Sequence, residues 1–310
     1  MVIGNRHTSV LLAEVLDALV VRAGCSYVDC TLGAGGHSDA ILRAGKGTIR
    51  LLGIDADPEA ISLAEERLAP WKSGVALVQG NFSQLGSIAQ EKGFVPSDGI
   101  LFDLGLSSIQ LEESGRGFSF RYDAPLDMRF DPSQTRTAAD IVNRLPEREL
   151  ADIIFRYGEE PRSRQIARAI VNTRPVTTTK QLVKIIESVV PKGKGRINVA
   201  TKTFQSIRIA VNNELQALES ALSQALDVLR PGGRLAVISF HSLEDRIVKQ
   251  FLRTEARGCI CPPRTPSCVC GRSPRLRVIT NRAIKPGAQE VEANPRSRSA
   301  RLRAAELLPS

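Results

Sequence analysis

The chain has 310 residues, 42% of them hydrophobic, and a formal net charge of +9. That is enough for one or two domains around a sizeable core, and no run of about 20 apolar residues reads as a membrane span. The N-terminal apolar run from Val10 to Val21 is broken by Glu14 and Asp17 and lacks a small-residue cleavage pattern, so it reads as an amphipathic helix rather than a signal peptide. The expected location is therefore the cytoplasm, where the six cysteines stay reduced.

Several short β-branched runs follow in chain order, separated by turns and helical stretches. Tyr27 to Thr31 is the first predicted strand, closed by Gly33-Ala34-Gly35-Gly36, and Ser38 to Arg43 then reads as helical. Thr48 to Ile54 is the second strand, ending at Asp55. Pro58 to Leu68 is a helix, with Asp57 as its cap and Ile61, Ala64 and Leu68 at helical spacing. Val75 to Gln79 and Gly99 to Phe102 are the third and fourth strands. Residues 115 to about 215 then look helical, with Pro191, Gly193 and Gly195 marking a mobile loop over Ser188 to Gly195. Leu215 to Leu229 is a further helix, which Arg230-Pro231-Gly232-Gly233 ends before a fifth strand at Leu235 to Ser239. Strands alternating with helices predict an α/β fold with a mostly parallel sheet covered on both faces. The helical stretch is an insertion after the fourth strand. The expected domains are 1–114 plus 216–310, and 115–215.

Charge follows this division. Residues 1–114 carry 8 basic and 14 acidic side chains, whereas residues 115–215 carry 18 and 11, and residues 253–310 carry 12 and 4. An acidic first third followed by basic segments suits a nucleotide-like cofactor site beside a polyanion-binding surface, although solvated charge alone explains it equally well.

The first strand, its glycine turn and the next helix form Val28-Asp29-Cys30-Thr31-Leu32-Gly33-Ala34-Gly35-Gly36-His37. Glycines let a backbone bend sharply and a ligand approach closely. Asp55, at the end of the second strand, is placed to accept both hydroxyls of a ribose. By itself such a turn is often only a turn. A nicotinamide site fits poorly, because Ser38 stands where the third glycine of Gly-x-Gly-x-x-Gly belongs. S-adenosylmethionine has no phosphates and tolerates the looser loop. Phe82, after the third strand, suits either an adenine ring or the core.

Asp103-Leu104-Gly105-Leu106-Ser107-Ser108-Ile109-Gln110 follows the fourth strand, beyond the carboxyl end where open α/β sheets bind ligands. An exocyclic base amine is a weak nucleophile because its lone pair is delocalised into the ring. Acceptors for its protons localise that pair as the methyl arrives. Asp103, Ser107 and Ser108 are the candidate acceptors; capping of the following turn is their structural alternative. Cytosine C5 methylation needs a cysteine nucleophile, and none lies between Cys30 and Cys259.

Together with these stretches, His7 to Leu12, Arg116 to Phe120, Pro125 to Arg129, Tyr157 to Glu160, Thr203 to Ile209, Ile238 to Arg246 and Asn294 to Arg296 run along the whole chain. In that order they closely resemble the bacterial 16S rRNA cytosine-N4 methyltransferases, the RsmH or MraW family. The resemblance implies a Rossmann-like class I S-adenosylmethionine-dependent methyltransferase sheet. It implies N4 methylation of a decoding-centre cytosine, conventionally numbered 1402, in the small ribosomal subunit. It further implies that Gly35, Gly36, His37, Asp55, Phe82, Asp103 and Gln110 contact the cofactor, with Gly33 in the same turn, and that the helical insertion helps bind 16S rRNA. An RNA-binding protein without catalysis, or a methyltransferase acting on another substrate, is the competing class.

Arg116, Arg121 and Arg129 are interleaved with Phe118, Phe120 and Tyr122, a mixture that RNA readers use to stack bases and hold phosphates. These, with Lys202 and Arg208 on the polar face of a helix whose Phe204, Ile207, Val211 and Leu215 are core, are the RNA-binding candidates. His241 reads as a structural histidine beside a helix capped at Ser242, with Asp245 three residues on. Cys259, Cys261, Cys268 and Cys270 form a compact pair of Cys-x-Cys motifs whose four thiolates could bind zinc. Their Cys-x-Cys spacing and intervening prolines favour an ordered loop without metal.

Overall fold

The computed structural model describes residues 9–107, 110–111, 115–191, 198–259, 261–262, 267 and 269–309. The chain divides into two compact units, Met1–Gly105 with Leu215–Ser310, and Leu106–Glu214.

In the first unit the β-branched runs form strands β1 (Ser26–Asp29), β2 (Arg50–Asp55), β3 (Val75–Gln79), β4 (Ser97–Asp103), β5 (Leu229–Ser239), β6 (Leu276–Val278) and β7 (Arg301–Leu307). They make one sheet in the order β3-β2-β1-β4-β5-β7-β6. The first five run parallel, and β7 is antiparallel to both β5 and β6. Helices α1 (Leu12–Leu19), α2 (Gly36–Ala44), α3 (Pro58–Leu68) and α4 (Leu85–Glu91) alternate with the early strands. Asp57 caps α3 as expected, accepting the Glu59 N–H at 3.2 Å. Two apolar clusters form in this unit. One holds Leu52, Ile54, Phe102, Leu222 and Val237, and the other Leu11, Leu19, Ile41, Leu51 and Leu101. A sheet buried on two faces needs apolar residues at successive strand positions, which is why β2 and β4 read as continuous runs rather than alternating ones.

The second unit contains α5 (Ala138–Arg144), α6 (Glu147–Gly158), α7 (Ser163–Thr173), α8 (Thr179–Val189) and α9 (Thr201–Asn212) around Ile141, Leu150, Ile154, Ile166, Leu182, Phe204 and Ile207. The remaining helices are α10 (Glu214–Val228), α11 (Ser242–Glu255) and the short α12 (Ala288–Ala293). Among the described residues no helix is long and apolar enough to cross a membrane.

The structure corrects the sequence reading in five places. Strands β6 and β7 were not expected: Arg301–Leu307 is rich in Ala, Arg and Glu, poor strand formers, yet pairing with β5 from Arg234↔Glu306 to Ser239↔Arg301 overrides that preference. The fifth strand begins at Leu229, so Arg230 to Gly233 belong to it rather than preceding it, with a register shift against β4 between Ser97 and Gly99. Residues 115–137 are irregular rather than helical among those described. Leu215 does not continue the helix of Phe204, Ile207 and Val211, because Asn213 turns left-handed at φ 52° and ends α9. The loop expected at Ser188 to Gly195 begins only after α8 ends at Val189, and its residues 192–195 lie outside the described set.

Candidate active site

The carboxyl ends of β1, β2 and β4 bring a cluster of polar side chains together in the first unit. After β1 the chain turns at Gly33 and Gly35, whose φ angles of 51° and 76° are left-handed, and Gly35 closes the turn by donating its N–H to the Leu32 carbonyl at 2.9 Å. A Cβ added at Gly33 would meet nothing within 4 Å, so that side of the turn faces open space.

Asp29, at the end of β1, is 1% exposed. Its Oδ1 accepts the Thr31 N–H at 3.2 Å and its Oδ2 accepts the Ser38 hydroxyl at 2.7 Å. Ser38 therefore has its own task where a dinucleotide fold would carry glycine. Burial pushes the Asp29 carboxyl above the ordinary carboxylate range despite His37 and these hydrogen bonds. Thr31 in turn accepts the backbone N–H of Asp103 at 2.6 Å, tying the end of β4 to the end of β1.

Asp55 ends β2. Its Oδ2 accepts the Gly33 N–H at 2.8 Å and its Oδ1 the Asp57 N–H at 2.9 Å. Loss of water around the carboxylate raises its pKa to about 6, against these two bonds. His37, 6% exposed on the first turn of α2, lies with Nε2 at 3.3 Å from Asp103 Oδ2, at ion-pair distance. Burial disfavours the imidazolium, but the carboxylates of Asp103, Asp29 and Glu290 outweigh it, and the His37 pKa rises. His37 Nδ1 and Asp103 Oδ1 are buried without a hydrogen-bond partner. Unpartnered buried polar atoms beside an open turn are what a bound polar ligand would satisfy.

Phe82 follows β3. Its ring meets Phe102 edge-on at 5.8 Å between centroids and packs against the core, so the core reading of this residue holds at least in part. His241 is structural: its Nδ1 accepts the Glu244 N–H at 3.3 Å, and Glu244 Oε2 accepts the N–H groups of Phe240 and His241 at 2.8 and 3.2 Å. The cap of α11 is thus His241, not Ser242. Asp245 instead holds Arg301 at 2.8 Å and Arg303 at 2.7 Å, and those cations keep its pKa low against the effect of burial.

In the second unit, Ser107 and Gln110 cap each other: Gln110 N–H donates to Ser107 Oγ at 3.2 Å, and Ser107 N–H to Gln110 Oε1 at 3.1 Å. Ser108 lies outside the described residues. Several RNA-binding candidates have structural partners. Arg116 donates to the carbonyls of Arg129 and Phe130 at 3.1 and 3.0 Å. Phe118 stacks on Phe130 with centroids 5.5 Å apart, and Phe120 meets Phe204 edge-on at 5.4 Å. Arg129 grips Asp127 through Nε at 2.8 Å and Nη2 at 2.7 Å. Lys202 donates to the Glu159 carbonyl at 3.0 Å, and Arg208 pairs bidentately with Glu214 at 2.8 Å. Arg121 and Tyr122 are exposed.

Asp29, Thr31 and Ser38 are site residues that motif reading missed. Asp29 and Thr31 stand inside the quoted turn, and the available signal was an acidic residue at the end of a strand with hydroxyls two and nine positions on. Among the cysteines, Cys259, Cys261 and Cys270 lie together, and Cys268 is outside the described residues.

The sheet order is that of a Rossmann-like fold, and the family that the chain matches makes the class an S-adenosyl-L-methionine-dependent methyltransferase. Within that class, the chain belongs to the MraW methylase family, whose model matches residues 4–308. Three similar relatives carry the name ribosomal RNA small subunit methyltransferase H. That of Dehalococcoides mccartyi strain BAV1 is 57% identical over 302 residues, covering 97% of this chain and 86% of its own. That of Thermomicrobium roseum is 52% identical over 309 residues, covering 99% and 95%. That of Geobacter sulfurreducens is 53% identical over 307 residues, covering 97% and 99%.

Proposed function

We propose that this protein methylates the N4 amine of a decoding-centre cytosine in 16S rRNA, using S-adenosyl-L-methionine, and that it acts in the cytoplasm on the small ribosomal subunit. The observation that carries the reading is the strand-end cluster of Asp29, His37, Asp55 and Asp103, in a chain more than half identical to proteins named for small-subunit rRNA. The cofactor fits these residues. Gly33 leaves an open wall, Asp55 presents a carboxylate whose remaining lone pairs suit two ribose hydroxyls, and the unpartnered His37 Nδ1 awaits a polar group. Gly35, Gly36, Phe82 and Gln110 complete the proposed set. When bound, S-adenosylmethionine supplies a methyl group already activated by its sulfonium.

The protein then has to orient the amine and manage its proton. Asp103 Oδ1 is the acceptor: a hydrogen bond from the amine localises its lone pair, and the carboxylate takes the proton released when the N–C bond forms. His37, beside the other oxygen of Asp103, is the positioning residue, and Thr31 fixes the Asp103 backbone. Ser107 and Ser108 are secondary acceptors. The second unit, Leu106–Glu214 where the sequence suggested 115–215, is the RNA-recognition domain; of its candidates, Arg116, Phe118, Phe120, Arg129, Lys202 and Arg208 already have partners within the chain. The exposed Arg121 is the most direct phosphate ligand among them.

The test is transfer of labelled methyl from S-adenosylmethionine to small subunits from a strain lacking this modification, with the nucleoside identified by mass spectrometry. N4-methylcytosine at one decoding-centre site is the expected product. Label at another atom or nucleotide overturns the N4 assignment. Cofactor binding without label on free rRNA, intact subunits or assembly intermediates overturns the substrate.

A further inference from the structure

The segment between α11 and β6 is tied at its ends but has no regular structure among its described residues. The Arg275 N–H donates to the Glu255 carbonyl at 2.8 Å, and the Arg272 guanidinium pairs with the Glu255 side chain. Irregular stretches of this length are uncommon in compact domains unless something organises them. Among the described residues hydrophobic burial does not do so, since Cys259 is exposed, Cys261 and Cys270 are only partly covered, and Val269 is 80% exposed.

The cysteines converge instead. The ligand atoms of Cys259, Cys261 and Cys270 all lie within 4.8 Å of one another. Cys259 Sγ and Cys270 Sγ are 3.9 Å apart. A disulfide would need about 2.05 Å. Zinc–sulfur bonds of about 2.3 Å in a tetrahedron set neighbouring sulfurs about 3.8 Å apart, close to the Cys259–Cys270 separation and compatible with the 4.8 Å limit on the other two. The Cys261 N–H also donates to Cys259 Sγ at 3.4 Å, holding that sulfur toward the other two.

We infer that Cys259, Cys261 and Cys270 form a structural zinc site that clips the α11–β6 segment. The Cys-x-Cys spacing had favoured a loop without metal. Spacing describes only how far apart ligands stand along the chain, whereas the sulfur separations describe the hole they surround. The site closes a loop and so offsets part of its ordering entropy. It has no part in methyl transfer.

The test is zinc content by mass spectrometry in full-length protein purified without chelator. The expected result is stoichiometric zinc in the wild type, its loss in a Cys259→Ser/Cys270→Ser double variant, and its retention in Cys25→Ser. Cobalt substitution of the wild type should give intense sulfur-to-metal charge-transfer absorption, and this arm stands even if the double variant does not fold. Wild-type protein that neither contains zinc nor binds added zinc overturns the site. So does a double variant that keeps its zinc, a cobalt spectrum without thiolate bands, or thiol titration showing these cysteines joined in disulfides. Each readout is independent of methyl transfer, so the site and the proposed reaction fail separately.

Discussion

Lowering the pH from about 8 to about 5 is expected to weaken cofactor binding about tenfold, through Asp55. In the empty protein this carboxyl has a pKa of about 6, raised by burial. The sign follows from the direction of the shift. A raised carboxyl pKa stabilises the empty fold below the ordinary carboxylate value, and that contribution is lost as pH rises through about 6. A ligand whose ribose hydroxyls donate to the ionised form works in the opposite sense. It binds best above pH 6 and must expel a proton below it. If only the carboxylate binds, the apparent Kd grows with the protonated fraction, by about 11-fold at pH 5 and negligibly at pH 8, or about 1.4 kcal/mol. Isothermal titration with S-adenosylhomocysteine, in buffers of different ionisation enthalpy, gives both the Kd and the protons released. Asp57 and Asp29 are the charged neighbours, and His37, a further proposed cofactor contact, has a raised pKa, so Asp55→Asn is the control. At pH 8 that variant loses about 1.5–3 kcal/mol, or about 10- to 150-fold, because an amide replaces one charged acceptor. It should also lose the step near pH 6. A flat wild-type profile, or the same step in Asp55→Asn, refutes the reasoning.

Asp103→Asn removes the proposed proton acceptor and should lower the single-turnover methylation rate about 10²-fold or more, with a smaller change in cofactor Kd. A loss carried wholly by Kd would make Asp103 a cofactor ligand instead. Gly53→Ala adds a Cβ that would lie 2.7 Å from Leu32 Cδ1 and 2.9 Å from Leu77 Cδ2 inside the sheet. Overpacking there should cost about 1–3 kcal/mol in denaturant unfolding. Arg208→Ala leaves Glu214 without its bidentate partner, in a pair whose side chains are only 11% and 10% exposed. It should destabilise the second unit by about 3 kcal/mol by thermal unfolding, while the salt dependence of RNA binding stays unchanged. A reduced salt slope with unchanged stability would instead make Arg208 a phosphate contact.

The strands that carry the site were legible because doubly covered parallel strands leave continuous apolar runs, and because the turn after β1 needs glycine where φ is left-handed. Asp55 and Asp103 announced themselves as acids at strand ends, and Asp57 as a helix cap, all through local rules. What local rules could not reach depended on partners distant in sequence. Strand β7 exists because β5 offers it a ladder and because Asp245 and Glu306 meet its neighbouring arginines, against the propensity of its own alanines. The aromatics and arginines of residues 116–130 resemble a nucleic-acid reader in composition, yet Phe118 and Phe120 spend their rings on Phe130 and Phe204, and Arg116 and Arg129 bind the chain itself. The same holds for Asp29 and for the cysteines. Composition and periodicity determined which elements form and where the chemistry stands along them. Burial of a carboxylate, convergence of three sulfurs and the pairing of an edge strand are properties of distances in space, and only the tertiary structure decided those.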